Sequence, residues 1–401
     1  MSDIKIFTDL VEPEAIDQIY TLGKQPAFKD CKIRIMPDVH AGKGCTIGFT
    51  ANLGDKVIPN IVGVDIGCGM LTIQLGKCEI DFNKLDNVIR KYVPYGYDVH
   101  LGRIGRFPRL QELYCYRNLK DCRRLERSIG TLGGGNHFIE IDENADGYKF
   151  LIIHTGSRNL GKQVCEYYQA LAVDLMQGKD ELFKKQKELI EEYKKAGRRN
   201  EIESAIKELH RTFKPNKLGI PKELAYLEGE YREQYLHDMK ICQEYAVLNR
   251  YTIGKIICAN AFGYDLDNLE YFETIHNYID HETNIVRKGA ISARKGEILL
   301  IPINMKDGCI IGMGKGNDDW NCSAPHGAGR LMSRSKAKET LNLDEYKKSM
   351  DGIFTTCVNQ STIDEAPMVY KPIESIVDNI GDTVEIIDIV KPIYNFKASE
   401  G

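Results

Sequence analysis

The chain has 401 residues, 42% of them hydrophobic, which excludes global disorder and allows one large packed domain or a few smaller ones. A formal net charge of −4 and a pI near 6.2 exclude a large continuous basic surface, so any nucleic-acid contact must use local patches. The N-terminal stretch lacks the apolar core of a signal peptide, and no run approaches the roughly 18 apolar residues of a membrane helix. Twelve cysteines without a C-x-x-C pair predict reduced thiols in a cytoplasmic protein rather than disulfides or a zinc ribbon.

The first 75 residues alternate short apolar runs with glycine-rich turns. Lys32 to Met36 reads as a strand ended by Pro37. Asp38 to Gly44 then reads as a loop that gathers an acid, an imidazole and an amine. Ile61 to Met70 predicts a buried strand running into a tight turn. Asp65 and Cys68, three residues apart on that turn, can face one ligand, although a cysteine simply buried in a turn is the commoner arrangement. Between residues 103 and 127 lie Arg103, Arg106, Arg109, Arg117, Lys120, Arg123, Arg124 and Arg127, with Phe107, Tyr114 and Tyr116 among them. That mixture suits a phosphate backbone and stacked bases, or a solvated helix face.

Gly130 to Glu140 contains three successive glycines that bring loop amides close to an anion, and then His137 and Glu140 at the start of a strand. The apolar strand Phe150 to Ile153 delivers His154, a glycine turn and Arg158. Imidazoles delivered repeatedly at strand ends, beside Asp65 and Cys68, point to a metal or phosphate site. From about residue 160 to 214 the pattern is helical. Lys179 to Leu209 predicts an amphipathic hairpin that projects from the core and breaks near Gly197. A second helix, Glu228 to Gly254, places Tyr235, Met239, Cys242, Ala246 and Asn249 on a core-facing stripe, and Asn249 and Arg250 come near the site.

Thr274 to Tyr278 is a third strand-like delivery, here of His276. The strand Ile298 to Ile303 leads to two glycine-rich loops, Asn304 to Cys309 and Gly312 to Gly316. These feed Ser323 to Ser335, where His326 stands between Pro325 and Gly327. Arg330 and Arg334 follow, and a helix would put them on one face. An imidazole on a glycine-flanked turn, followed by two forked anion receptors, suits chemistry on phosphate. A final strand, Val384 to Val390, precedes a tail, Lys391 to Lys397. No Pro-, Gly- or Ser-rich linker divides the chain. The expectation is an α+β fold with mixed or antiparallel sheets, one domain over residues 1–401, and a helical insertion at about 160–255.

Together these stretches resemble the RtcB family of RNA ligases. The matching segments are Met36-Pro-Asp-Val-His-Ala-Gly-Lys-Gly44, Val64-Asp-Ile-Gly-Cys-Gly-Met70, Gly130-Thr-Leu-Gly-Gly-Gly-Asn-His-Phe-Ile-Glu140, His154-Thr-Gly-Ser-Arg158, His276-Asn277, Arg287-Lys-Gly-Ala290 and Ser323-Ala-Pro-His-Gly-Ala-Gly-Arg-Leu-Met-Ser-Arg334. They stand in the family's order and cover nearly the whole chain. The resemblance implies a dinuclear centre of two divalent ions, usually manganese, bridged by Cys68. One ion would add His154 and His276, the other Asp65 and His137. It implies guanylylation of His326 by GTP, guanylate contacts from Asn136, Glu140, Tyr370 and Lys397, and phosphate or RNA contacts from Arg158, Arg330 and Arg334.

The implied reaction joins an RNA 3′-phosphate or 2′,3′-cyclic phosphate to a 5′-hydroxyl, in RNA repair or tRNA splicing. The resemblance leaves open whether an activator such as archease takes part. One departure stands out: better-known members carry Pro-Gly-Ser-Met-Gly where this chain has Pro302-Ile-Asn-Met-Lys-Asp-Gly-Cys309. Two other readings fit the same scaffold, an end-processing phosphodiesterase and a non-catalytic RNA-binding relative.

Overall fold

The computed structural model describes residues 2–42 and 44–398. Lys43, the amine of the Asp38 to Gly44 stretch, lies outside them. Two sheets organise the chain. The first has five strands in the order β1 (Asp3–Ile6), β2 (Lys32–His40), β3 (Ile47–Asn52), β9 (Ile285–Lys288) and β8 (Asn277–Ile279). Only the β1–β2 pairing is parallel.

The second sheet runs β10 (Ile298–Asn304), β11 (Gly308–Gly314), β12 (Val384–Lys397), β5 (Phe138–Glu143), β6 (Lys149–Thr155), β4 (Gly69–Gly76) and β7 (Tyr271–Ile275). All six of these pairings are antiparallel, and Phe354–Thr355 adds a short parallel strand beside β12. The architecture is α+β, as the sequence predicts.

Helices lie mainly to one side in sequence: α2 (Arg158–Met176), α3 (Lys179–Lys195), α4 (Ile202–Thr212) and α5 (Gly229–Ile257). The α3–α4 hairpin turns at Gly197, and only Leu182 of it is buried, so it projects from the core. Tyr235, Met239, Cys242, Ala246 and Asn249 on α5 are all fully buried, as their helical stripe requires. His210 is on the surface of the hairpin, and His237 is bonded to Asp238 next to it in the chain. No described helix is long and apolar enough to cross a membrane.

Several segments differ from expectation. β2 continues through Pro37 to His40, so Asp38 and His40 stand on a strand end rather than a loop. The β2–β3 pairing lapses between Ile35 and His40, which lets Pro37 sit in the strand without costing a ladder bond. Ile61 and Val62 belong to a one-turn helix, α1 (Pro59–Val62), opened by a proline at its first position. Gly312 and Gly314 lie inside β11, and the tail from Lys391 to Lys397 is the second half of β12, with a bulge at Pro392. Residues 103–127 form short turns and one six-residue helix, Cys122–Arg127, rather than a continuous helical face. Asp238, fully buried on α5, accepts from the Tyr114 and Cys115 amides and from the Tyr168 hydroxyl, and so fastens that segment to the core.

Candidate functional site

The ends of three neighbouring strands meet at Cys68. That residue directly precedes β4, and β4 pairs with β6 on one side and β7 on the other. β6 carries His154, β7 leads into His276, and β5 begins just after His137. The His276 amide donates to the Cys68 carbonyl at 3.0 Å, which locks the two turns together. Cys68 Sγ lies 3.3 Å from His154 Nε2 and 3.5 Å from His137 Nε2. Asp65 Oδ2 lies 3.0 Å from His137 Nε2. Two donor sets result, Cys68 with His154 and His276, and Cys68 with Asp65 and His137.

The second layer aims these donors. His137 Nδ1 bonds the Leu132 carbonyl at 2.9 Å, and His154 Nδ1 bonds the Asn136 carbonyl at 3.1 Å. Each carbonyl favours a proton on Nδ1, which would leave Nε2 free as a donor to a cation. Burial, reinforced by neighbouring imidazoles, pushes His154 and His276 well below their ordinary range, so both are neutral. Arg250, fully buried on α5, donates to the Gly67 and Thr155 carbonyls at 2.8 Å each and pairs with Glu273. Those carbonyls adjoin Cys68 and His154. Asn249 bonds the Gly130, Thr131 and Gly156 backbone in the same way. A Cβ at Gly156 would stand 2.1 Å from Asp65 Oδ1, so any larger residue there would push the carboxylate aside.

This donor set fits divalent cations. His276 Nδ1 and Asp65 Oδ1 are buried without a protein partner among the described residues. Burial, then the Asp65 carboxylate, push the Cys68 thiol well up, and a bound cation reverses that by stabilising the thiolate. The 3.3 and 3.5 Å thiol–imidazole separations match the edge of about 3.5 Å between sulfur and nitrogen ligands on one ion. Imidazole and carboxylate suit manganese, and the thiolate also tolerates zinc or cobalt.

His326 follows the short strand Ser323–Pro325, which pairs with Ala290–Ser292. Its ring lies 4.8 Å, centre to centre, from that of His276. Asp38 Oδ2 accepts from His326 Nδ1 at 2.6 Å and from its backbone amide at 3.0 Å. Gly329 holds φ +78°, and a Cβ there would meet the Asp38 carbonyl oxygen at 2.3 Å. Lys371 donates to the Pro37 and Val39 carbonyls and so pins the strand end that carries Asp38. Arg287 bonds Ser323 Oγ and the Asn321 and Cys322 carbonyls beneath the same turn.

One cavity opens over His154, His276 and His326, and Asn136, Glu140, Arg330, Arg334, Tyr370 and Lys397 also line it. Asp65, His137 and Arg158 instead line an adjoining groove with Arg124 and Lys162. Cys68 stands between the two, within reach of both histidines. Arg158 donates to Thr131 Oγ1 and the Gly96 carbonyl, so its guanidinium is held in place. Arg330 is not on a helix: it bridges to Tyr370 in extended form, and only Arg334 opens the helix α6 (Arg334–Thr340). Pro302 to Met305 form the cavity wall where the sequence departs from the better-known pattern.

Two residues that shape the site escaped the sequence reading. Asp38 was legible as an acid near an imidazole, but its partner lies 288 residues away. Glu365 gave no signal. Buried at 2% exposure, it meets Lys397 and Arg334 at 2.6 Å, Arg330 at 3.3 Å and the Tyr370 hydroxyl at 2.6 Å. Burial works to raise its carboxyl, but the charges of Lys397, Arg334 and Arg330 outweigh that and hold it at about 2. With Asp364 on Arg334 and Lys338, four cations meet two carboxylates, which leaves the cluster net positive.

A family model described as tRNA-splicing ligase RtcB matches residues 18–113 and 114–398. The chain belongs to the RtcB family. It is 30% identical to the RNA-splicing ligase RtcB of Escherichia coli K12, over 96% of this chain and 95% of that protein. The RNA-splicing ligase RtcB2 of another Escherichia coli strain is 24% identical over 98% of this chain and 94% of its own length. The tRNA-splicing ligase RtcB of Archaeoglobus fulgidus is 25% identical over 92% and 87%. RtcB kinship thus extends over both sheets and the whole centre described above.

Proposed function

We propose that this chain is a GTP- and manganese-dependent RNA ligase that joins RNA 3′-phosphate or 2′,3′-cyclic phosphate ends to 5′-hydroxyl ends. The observation that carries the reading is the Asp38–His326 pair at the mouth of a cationic cavity beside the thiol–imidazole cluster. Asp38 accepts a hydrogen bond from Nδ1–H, which leaves the Nε2 lone pair of His326 as the nucleophile. Nε2 attacks the α-phosphorus of GTP, the N–P bond forms, and pyrophosphate departs. Arg330, Arg334 and Lys397 offset phosphate charge, while Asn136, Glu140 and Tyr370 hold the guanylate. An RNA 3′-phosphate oxygen then takes the guanylate from His326. A 5′-hydroxyl, brought along the Arg158 groove, attacks the activated 3′ end and GMP departs. A cyclic phosphate is first hydrolysed to the 3′-phosphate. Held by Asp65, Cys68, His137, His154 and His276, two manganese ions would supply Lewis acidity and neutralise phosphate charge.

The same reading treats residues 1–401 as one cytoplasmic ligase domain with a helical insertion at about 160–255, acting in RNA repair or tRNA splicing. Incubation with manganese and GTP labelled at the α-phosphate tests it. Acid-labile, alkali-stable label on the wild type and none on His326→Ala is the expected result. No label on metal-loaded wild type, with archease present or absent, would overturn it in favour of an end-processing phosphodiesterase.

A further inference from the structure

Glu140 and Asp142 stand two residues apart on β5, so their side chains leave the same face of the strand. That face is dry. Their cross-strand neighbours on β6 are Ile152 and Phe150, and these join Leu300, Cys309, Ile311 and Val390 in one apolar cluster. Glu140 is 3% exposed, and Asp142 and Cys309 are fully buried. The polar atoms of the three side chains lie within 4.8 Å of one another.

The two carboxyls are served unequally. Asn395 Nδ2 donates to Glu140 Oε2, and Glu140 lines the cavity with Lys397. No N–H or hydroxyl group reaches either Asp142 oxygen among the described residues, and the Cys309 thiol beside it is a weak donor. Opposite Asp142 on β12 stands Pro392, which has no N–H to give. The charged or titratable groups facing the pair are the Cys309 thiol from β11 and Lys391 and Lys397 from β12, while β6 supplies the apolar Phe150 and Ile152 and, one pair further along the same face, His154, which lines the cavity with Glu140.

Two carboxylates so close in dry surroundings do not both ionise. An ionised Asp142 would also be buried with no donor stronger than the Cys309 thiol, which costs far more than a neutral acid. A proton resolves both conflicts, because contact between two carboxyls becomes a hydrogen bond once one of them is an acid. Burial raises Glu140 to about 7 and, with the Glu140 charge next, raises Asp142 well above the usual carboxylate range. The proton therefore resides on Asp142.

We propose that Glu140 and Asp142 form an acid–carboxylate pair that holds one proton, and that Asp142, as its donor, positions an ionised Glu140 to accept adjacent N–H groups from a nucleotide base. This rests on reading the cavity as a guanine-nucleotide site. Guanine offers a ring N–H beside an exocyclic amine, both donors, whereas adenine offers a bare ring nitrogen beside its amine. An ionised carboxylate accepts from the first edge and is repelled by the second. When Glu140 also takes a proton, the acceptor is lost, so guanine preference strengthens as pH rises through about 7. Asp142 touches no substrate and is a positioning residue.

Two measurements on the full-length chain test the pair. Infrared spectra near pH 8.5, where Glu140 is ionised, should show a protonated-carboxyl band in the wild type that disappears in Asp142→Asn. Absence of that band from the wild type overturns the pair whether or not nucleotide binds. GMP and AMP binding, by calorimetry across neutral pH, then reads its role. Asp142→Asn, which keeps an N–H donor, should retain GMP affinity. Asp142→Ala should lose about tenfold for GMP, shift its pH midpoint upward and leave AMP unchanged. Wild-type GMP affinity and pH midpoint in Asp142→Ala would overturn the positioning role. So would an equivalent of bound metal lost from Asp142→Asn, which would assign the cluster to a cation. A wild type that shows the band but binds no GMP sinks the nucleotide reading and the positioning role with it, while the shared proton stands.

Discussion

Asp38 grips His326 at two points with one oxygen, at the ring Nδ1 and at the backbone amide. The carboxylate is fully buried, so it fixes the turn, the ring and the tautomer together. Asp38→Asn preserves the shape but weakens the acceptor that stabilises a cationic imidazole. His326 labelling should fall by about 10²-fold or more, with metal content unchanged. Wild-type labelling rates in that variant would remove Asp38 from the nucleophile's support.

Arg250 ties the carbonyls beside Cys68 and His154 to one buried guanidinium. Arg250→Ala leaves Glu273 unpaired and both carbonyls unmet. Urea unfolding should report a loss of about 3–5 kcal/mol. The folded fraction should also hold less manganese, because the turns that aim the donors are no longer clamped. Full metal content would show that the strands alone hold the geometry.

Cys68 is the donor within reach of both imidazole sets. Manganese at about 100 times its dissociation constant should stabilise the wild type by about 2.7 kcal/mol, seen as a raised thermal midpoint. Cys68→Ala should lose most of that shift and its GTP-dependent label. An unchanged manganese shift in Cys68→Ala would place the ions elsewhere.

Glu365 makes acid stability a readout of the cation cluster. Its carboxyl is held at about 2 in the fold against an ordinary value of 4.5. A depressed carboxyl stabilises the fold above its unfolded value and loses that contribution as pH falls towards the folded one. Stability should therefore drop by on the order of 3 kcal/mol between pH 4.5 and pH 2. Glu365→Gln should be less stable at neutral pH and should flatten that part of the profile. An identical slope in the variant would assign the acid sensitivity to other carboxylates.

The chemistry-bearing positions were legible because strand ends and glycine turns are local patterns. His154 and His276 follow apolar runs whose period says strand, and both were expected where they stand. The misreadings share a cause, which is that tertiary pairing overrides a local punctuator. Pro37 and Pro392 both stop a strand in the sequence, yet each sits where a register shift removes the need for its N–H. Glycines hid β11, because Gly308, Gly312 and Gly314 read as loop residues until β12 covers them. Asp38 and Glu365 were invisible as partners, since each meets its cations or imidazole across long stretches of chain.

The position of β12 has a consequence for biosynthesis. This strand comes late in the chain yet lies mid-sheet, between β11 and β5. On a translating ribosome the edges of β5 and β11 stay bare until residues 384–397 emerge from the exit tunnel. A nascent polypeptide short of that point already carries His326 and the thiol cluster but lacks the wall built from Asn395 and Lys397. Pairing across some 250 intervening residues is slow, so the growing chain exposes two bare sheet edges until β12 emerges.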